Sequence, residues 1–168
     1  MALKILSKTI PESKYIRKAI TLRDMDLPQE VLLTKRSLLR WLALSIGVLS
    51  EKESRNTVVP VLDALLFFQV KEKKDPTLLE IKEYLDKEEW GMRGKESEKK
   101  IPLKAIRYHL GKLREIGLVE LNERKYSFMK NPQNPEIKES AKYVFENQVK
   151  ESIERINKAF SQLVDMYL

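Results

Sequence analysis

Apolar positions recur along this chain at several distinct spacings, and each spacing predicts an element. Between residues 34 and 49 (TKRSLLRWLALSIGVL) the pattern is helical, with Thr34 as N-cap and Leu38, Trp41, Leu42 and Leu49 turned inward. Ser50 followed by Glu53 has the spacing of a capping box. A second helix is expected to run to Val70, with Pro60 in its first turn if it begins near Val58, where a missing N–H costs nothing. Residues 71–76 are a charged break. Residues 77–85 (TLLEIKEYL) form a short amphipathic helix with Leu78, Ile81 and Leu85 on one side.

The next stretch, 86–100, holds two glycines, many charges and no apolar stripe, so it reads as a loop. It is longer than most connections between two small helices. Residues 102–119 (PLKAIRYHLGKLREIGLV) then read as a helix with Pro102 at its first position and a stop at Gly117. One face is apolar (Ile106, Leu110, Leu113) and another cationic (Lys104, Arg107, Lys112). Val119–Leu121 and Tyr126–Met129 flank Asn122–Lys125, which predicts a hairpin. Residues 131–135 (NPQNP) break both periods, and 136–168 read as one long helix. Residues 1–33 carry Pro11 and Pro28, and Tyr15, Ile16, Ala19, Ile20 and Leu22 fit a short strand or a short helix equally well. The divisions are therefore an N-terminal extension (1–57) with a buried helix near 34–49, a middle domain (58–130) and a C-terminal helix (131–168). The expected fold class is mainly α, formally α+β.

Composition narrows the class. The 168 residues are 34% charged and 42% hydrophobic, as in folded soluble proteins. The net charge of +7 favours a polyanionic partner. Its distribution is uneven: residues 93–114 hold eight Lys/Arg against two Glu, and residues 1–40 nine against four acids, whereas residues 131–168 hold five against six. The cationic surface thus belongs to the front and middle of the chain. Cysteine is absent, which removes disulfides, thiolate metal sites and cysteine nucleophiles. No apolar run approaches the ~18 residues of a membrane span, and the first residues lack the apolar core of a secretion signal, so a cytoplasmic protein is expected.

No Ser/His/Asp arrangement, HExxH motif or Gly-rich phosphate loop is visible, and an enzyme is not expected. His109 is the only histidine. Without a second His or a Cys it builds no metal site, and it is read as structural. No cofactor is expected, and no residue pattern points to a small-molecule effector.

The string Ile106-Arg107-Tyr108-His109-Leu110-Gly111-Lys112-Leu113-Arg114-Glu115-Ile116-Gly117-Leu118-Val119 resembles a pattern of the form V-x-x-H-L-x-x-L-x-x-x-G-L-V. That pattern occurs in winged helix-turn-helix regulators of the ArsR, MarR and PadR groups, whose order of helix, helix, recognition helix and two-stranded wing matches residues ~58–130. The resemblance implies a winged-helix domain that binds double-stranded DNA. Two departures stand out: the loop before the recognition helix is longer than the family's turn, and Gly111 lies inside that helix. Gly111 either permits close approach of another backbone or is a plain surface glycine.

On this reading Ile106, Leu110, Leu113 and Leu118 face the core. Lys104, Arg107, Tyr108 and Lys112 face outward, where Arg can bond a guanine edge and Lys a phosphate. Arg124 and Lys125 sit at the wing tip, and Lys99 and Lys100 in the loop are placed to clamp phosphate. Trp90, an aromatic in that polar loop, is read as pinning it to the domain.

In the last helix Val149, Ile153, Ile156, Phe160, Leu163 and Tyr167 are spaced 4, 3, 4, 3 and 4, which is a heptad seam. It predicts a homodimer with a coiled-coil contact; packing of the helix on its own Trp41, Leu42 and Ile46 is the other possibility. The functional expectation is a DNA-binding transcriptional regulator. The alternative is a winged-helix adaptor that binds another protein within a nucleic-acid-processing assembly, and RNA binding is a third option.

Overall fold

A helix that is apolar on every side must lie at the centre of its domain. Residues Val58–Leu66 (VVPVLDALL) come close to that condition, Asp63 being their one polar residue, and in the computed structural model eight of the nine are buried. The structure describes residues 9–53, 56–88 and 100–168. The described chain is mainly helical, with one small antiparallel sheet and a long C-terminal helix.

In chain order the elements are α1 (Gln29–Leu32), α2 (Lys35–Ser45), α3 (Val58–Leu66), α4 (Leu78–Lys87), α5 (Leu103–Glu115), β1 (Val119–Asn122), β2 (Lys125–Phe128) and α6 (Ser140–Tyr167). Helix α3 runs on into a π-helical turn over Phe67–Lys71. One core joins Leu39, Ala43 and Ile46 of α2 and its end, Leu62 and Leu65 of α3, Ile81 and Leu85 of α4, and Ile106, Leu110 and Leu113 of α5. Val119, Tyr126 and Phe128 of the hairpin complete it.

Helix α2 starts as expected, with the Thr34 side chain accepting from the Ser37 N–H at 3.2 Å. Two details differ from the sequence reading. Leu38 is exposed and its neighbour Leu39 is buried, while Trp41 and Leu42 are only half-buried. The helix also ends at Ser45 and not at Leu49. Gly47, at φ +75°, turns the chain back, with Gly47 N–H donating to Leu44 O and Val48 N–H to Ala43 O, both at 3.1 Å. Val48 and Leu49 then enter the core outside the helix.

The capping box expected at Ser50 does not form. Glu53 N–H closes a turn on Ser50 O, and helix α3 begins only after Thr57. Thr57 does not cap it with its side chain, because that hydroxyl is bonded to His109. The capping box of this chain is at Thr77, whose hydroxyl accepts from Glu80 N–H at 3.3 Å while the Glu80 carboxylate accepts from Thr77 N–H at 2.8 Å.

The hairpin pairs Val119 with Phe128 and Asn122 with Lys125. Its two-residue turn is Glu123–Arg124, both at positive φ, the conformation that matches the twist of the strands. Lys125, expected at the tip, is instead the first residue of β2 and bridges to Thr77. The hairpin is stitched to the body by Tyr126 N–H to Pro76 O at 2.8 Å and by Phe128 N–H to the Gln69 side-chain oxygen at 3.3 Å.

The final segment is not one helix from 136. A 3-10 turn over Ile137–Glu139 precedes α6. Ser140 and Val144 are buried, and Ala141 and Phe145 pack against the core. From Ile153 onward the seam residues are exposed, Phe160 by 66% and Tyr167 by 90%. The N-terminal arm contains a 3-10 turn over Pro11–Tyr15 and is then irregular. Tyr15, Ile16 and Leu22 are exposed, and Arg23 ties the arm to the end of α2 through its N–H to Ser45 O at 2.9 Å and its guanidinium to Leu49 O at 2.9 Å.

Candidate nucleic-acid interface

Helix α5 is positioned by its inner face. Ile106, Leu110 and Leu113 are completely buried, and Leu118 follows them into the core. Pro102 occupies the N-cap in extended backbone and not the first helical position; its carbonyl receives the Ala105 and Ile106 N–H groups at 2.9 and 3.1 Å. At the other end Gly117, at φ +81°, reverses the chain, with Leu118 N–H bonded to Leu113 O at 3.1 Å. The loop before α5 does not prevent docking, since α4 and α5 share the core through Ile81, Leu85, Ile106 and Leu110.

With the inner face fixed, 3.6-residue periodicity dictates what faces out. Lys104, Arg107, Tyr108 and Arg114 are exposed, and Gly111 and Lys112 are half-buried. Arg114 was not among the residues singled out from the sequence. Its spacing of seven from Arg107, two helical turns along one side, is the signal that identifies it. The Lys112 ammonium lies 4.9 Å from the centre of the Tyr108 ring, and its hydrogen bond to Tyr108 raises its pKa, so it stays charged. A Cβ on Gly111 would meet no atom within 4 Å, so no internal contact requires glycine there.

Most cations of this face form no ion pair among the described residues. Helix α4 neutralises its lysines within itself, Lys82 with Asp86 at 2.6 Å and Lys87 with Glu83 at 3.3 Å. Lys104, Arg107, Arg114, Arg124 and Lys125 make no salt bridge with another described residue. Arg124 stands at the exposed hairpin tip, Lys125 is exposed at the start of β2, and Lys100 is exposed just ahead of α5. Lys99 and Trp90 lie outside the described residues.

His109 points into the protein. It is buried, and one ring nitrogen is 2.6 Å from the Thr57 hydroxyl, while the other has no hydrogen-bond partner. Burial, reinforced by the nearby Lys112 charge, holds its pKa below the ordinary value. His109 therefore clasps α5 to the start of α3 as a neutral ring. Among the described residues no group of His, Asp and Glu is placed to hold a metal ion, and no helix is long and apolar enough to cross a membrane.

Two buried polar residues that the sequence reading passed over position this surface. Gln69 receives Phe128 N–H on its oxygen and donates from its nitrogen to Lys74 O at 3.2 Å and to the Asp75 carboxylate. It joins α3, the following loop and the hairpin. Asp63 accepts from the Tyr84 hydroxyl at 2.9 Å and pairs with Lys35 at 2.8 Å, tying α4 and α2 to α3. Burial and then this hydrogen bond raise the Tyr84 pKa. Both residues interrupt an apolar run, VVPVLDALLFFQV, and that interruption is the visible signal.

No family model, curated protein or solved structure matches this chain.

Proposed function

We propose that this chain is a winged-helix protein that binds double-stranded DNA as a homodimer and regulates transcription. One observation carries the reading: helix α5 buries its apolar face completely and turns Lys104, Arg107 and Arg114 outward with no acidic partner among the described residues. The hairpin with Arg124 at its tip supports it. The order helix, helix, basic helix, hairpin is the one expected of a winged helix.

On this reading α5 enters the major groove, which admits an α-helix, and Arg107 reads a base edge. Lys99, Lys100, Lys104 and Lys112 neutralise phosphates, and Arg124 and Lys125 follow the backbone or the minor groove. Pairing of two α6 seams places two copies of α5 on successive major-groove faces, about 34 Å apart.

Fluorescence anisotropy with selected and random duplexes tests the reading. Arg107→Ala should weaken binding to the preferred sequence by roughly 1–3 kcal/mol and relax specificity. Lys99→Ala with Lys100→Ala should weaken all sequences alike and flatten the salt dependence by about one unit per lost contact. If these variants bind duplex DNA as well as the parent at low salt, the reading is wrong. The exposed apolar end of α6 supports a second reading, an adaptor that gives this helix to another protein. A monomeric mass in solution favours the adaptor, and a dimeric one the regulator.

A further inference from the structure

The last turns of α6 carry an apolar face wider than two paired helices need. In the heptad frame of the seam, the flanking positions 157, 159, 164 and 166 hold Asn, Ala, Val and Met. Two-stranded coils often place Glu and Lys at such flanks. Here none is charged, and Val164 and Met166 are 43% and 71% exposed. A helix with this surface packs against more than one neighbour.

The N-terminal arm is the second unpartnered apolar surface. Ile10, Tyr15 and Ile16 are each at least 70% exposed. The arm passes directly beside α6: Leu22 shares a groove of about 690 Å³ with Phe145, Val149 and Ile153. Arg23 fixes that end of the arm to α2. The six residues from Leu22 back to Ile16 reach at most ~20 Å, and α6 advances ~10 Å from Ile153 to Phe160. The arm is thus long enough to lie along the tail.

We propose that the occupant of this surface is a second copy of the chain, and that the arms close over the paired α6 tails at the flanking positions. The proposal rests on the homodimer reading above and adds the arm to it. Tyr15, Phe160 and Tyr167 from two copies alone bury on the order of 1,000 Å², at about 150–250 Å² for each aromatic side chain. Stable interfaces start at about 1,200 Å² in total, and Ile16, Ile156 and Leu163 from both copies supply the remainder. Charge agrees: Lys14, Arg17 and Lys18 of the arm meet a helix end that carries Asp165 and the negative pole of the helix dipole.

The test is sedimentation equilibrium of the full chain over a wide concentration range, beside a variant with Ile10→Ser, Tyr15→Ser and Ile16→Ser. These side chains are exposed, so the fold does not depend on them. The dimer dissociation constant should rise by roughly tenfold or more, with affinity for a short single-site duplex unchanged. If the parent dimerises and the variant does so equally well, the arm proposal is overturned and the dimer stands. If the parent is monomeric at every concentration, both fall. If dimerisation is intact but the variant loses duplex affinity, the arm lies on nucleic acid and the proposal is overturned.

Discussion

Two residues of α5 and the glycine that follows it illustrate how positions divide between fold and surface. His109 is held neutral by burial, so its folded pKa lies below the ordinary 6.5. The unfolded chain then binds more protons, and stability that is complete above pH 6.5 is lost as pH falls toward the lower folded value. Urea midpoints should therefore drop between pH 7 and 5.5 in the parent and change less in His109→Gln; equal slopes would refute the assignment. Gly111 has open space at its Cβ, so Gly111→Ala should raise stability by about 1 kcal/mol in thermal melts. The same variant should bind duplex less tightly if this side of α5 lies against a phosphate strand. Gly117 differs in kind. Its positive φ favours glycine, a Cβ there would displace the Gln148 amide 2.7 Å away, and Gly117 was legible from the sequence as the helix stop.

At the scale of elements, legibility followed how one-sided each pattern was. The α5 stripe of Ile106, Leu110 and Leu113 admits one orientation, and those residues are buried. Helix α2 reads KRSLLRWLALS, and its second half is apolar on several sides, so neighbouring elements decide between Leu38 and Leu39. The Ser50 pattern failed because Thr57 and His109, 52 residues apart, engage each other and the helix starts later. The hairpin was visible as a pattern of alternation, but its attachment was not, because Gln69 meets the Phe128 N–H from 59 residues away. Replacing Gln69 by Leu leaves that buried N–H without its partner. It should cost about 1–3 kcal/mol, measured by chemical denaturation, and increase amide exchange at Phe128. Unchanged exchange there would show that Gln69 does not hold the hairpin.

For the whole molecule, the described chain is one core with two extensions. Leu39 to Phe128 contribute to a single cluster, and Ala141 and Phe145 pack against it from α6, while the second half of α6 is exposed beyond it and the arm runs along its outside. The extension of α6 was predictable in length from its period, but the split between a docked first part and an exposed second part was not. Docking depends on Ile137, Ala141 and Phe145, whose partners lie in earlier elements. Phe160→Ser with Leu163→Ser changes only exposed positions, so it should leave the melting temperature of the core within about 2 °C while abolishing self-association. A large fall in melting temperature at concentrations where the parent is monomeric would show that the tail belongs to the core.

One joint couples these scales. The Gln148 side-chain amide donates to Ile116 O at 2.9 Å, at the point where α5 ends, so the root of α6 is fixed to the helix that carries the cationic face. The tail therefore acts as an axle with a keyed hub: its azimuth is set by the orientation of α5. Inserting one alanine after Ser152 leaves the hub intact and rotates everything beyond it by about 100° with a 1.5 Å advance. In the dimer proposed above, the two cationic faces would then be thrown out of phase with the DNA helix. Inserting seven residues would restore the phase of the seam and lengthen the molecule by about 10 Å.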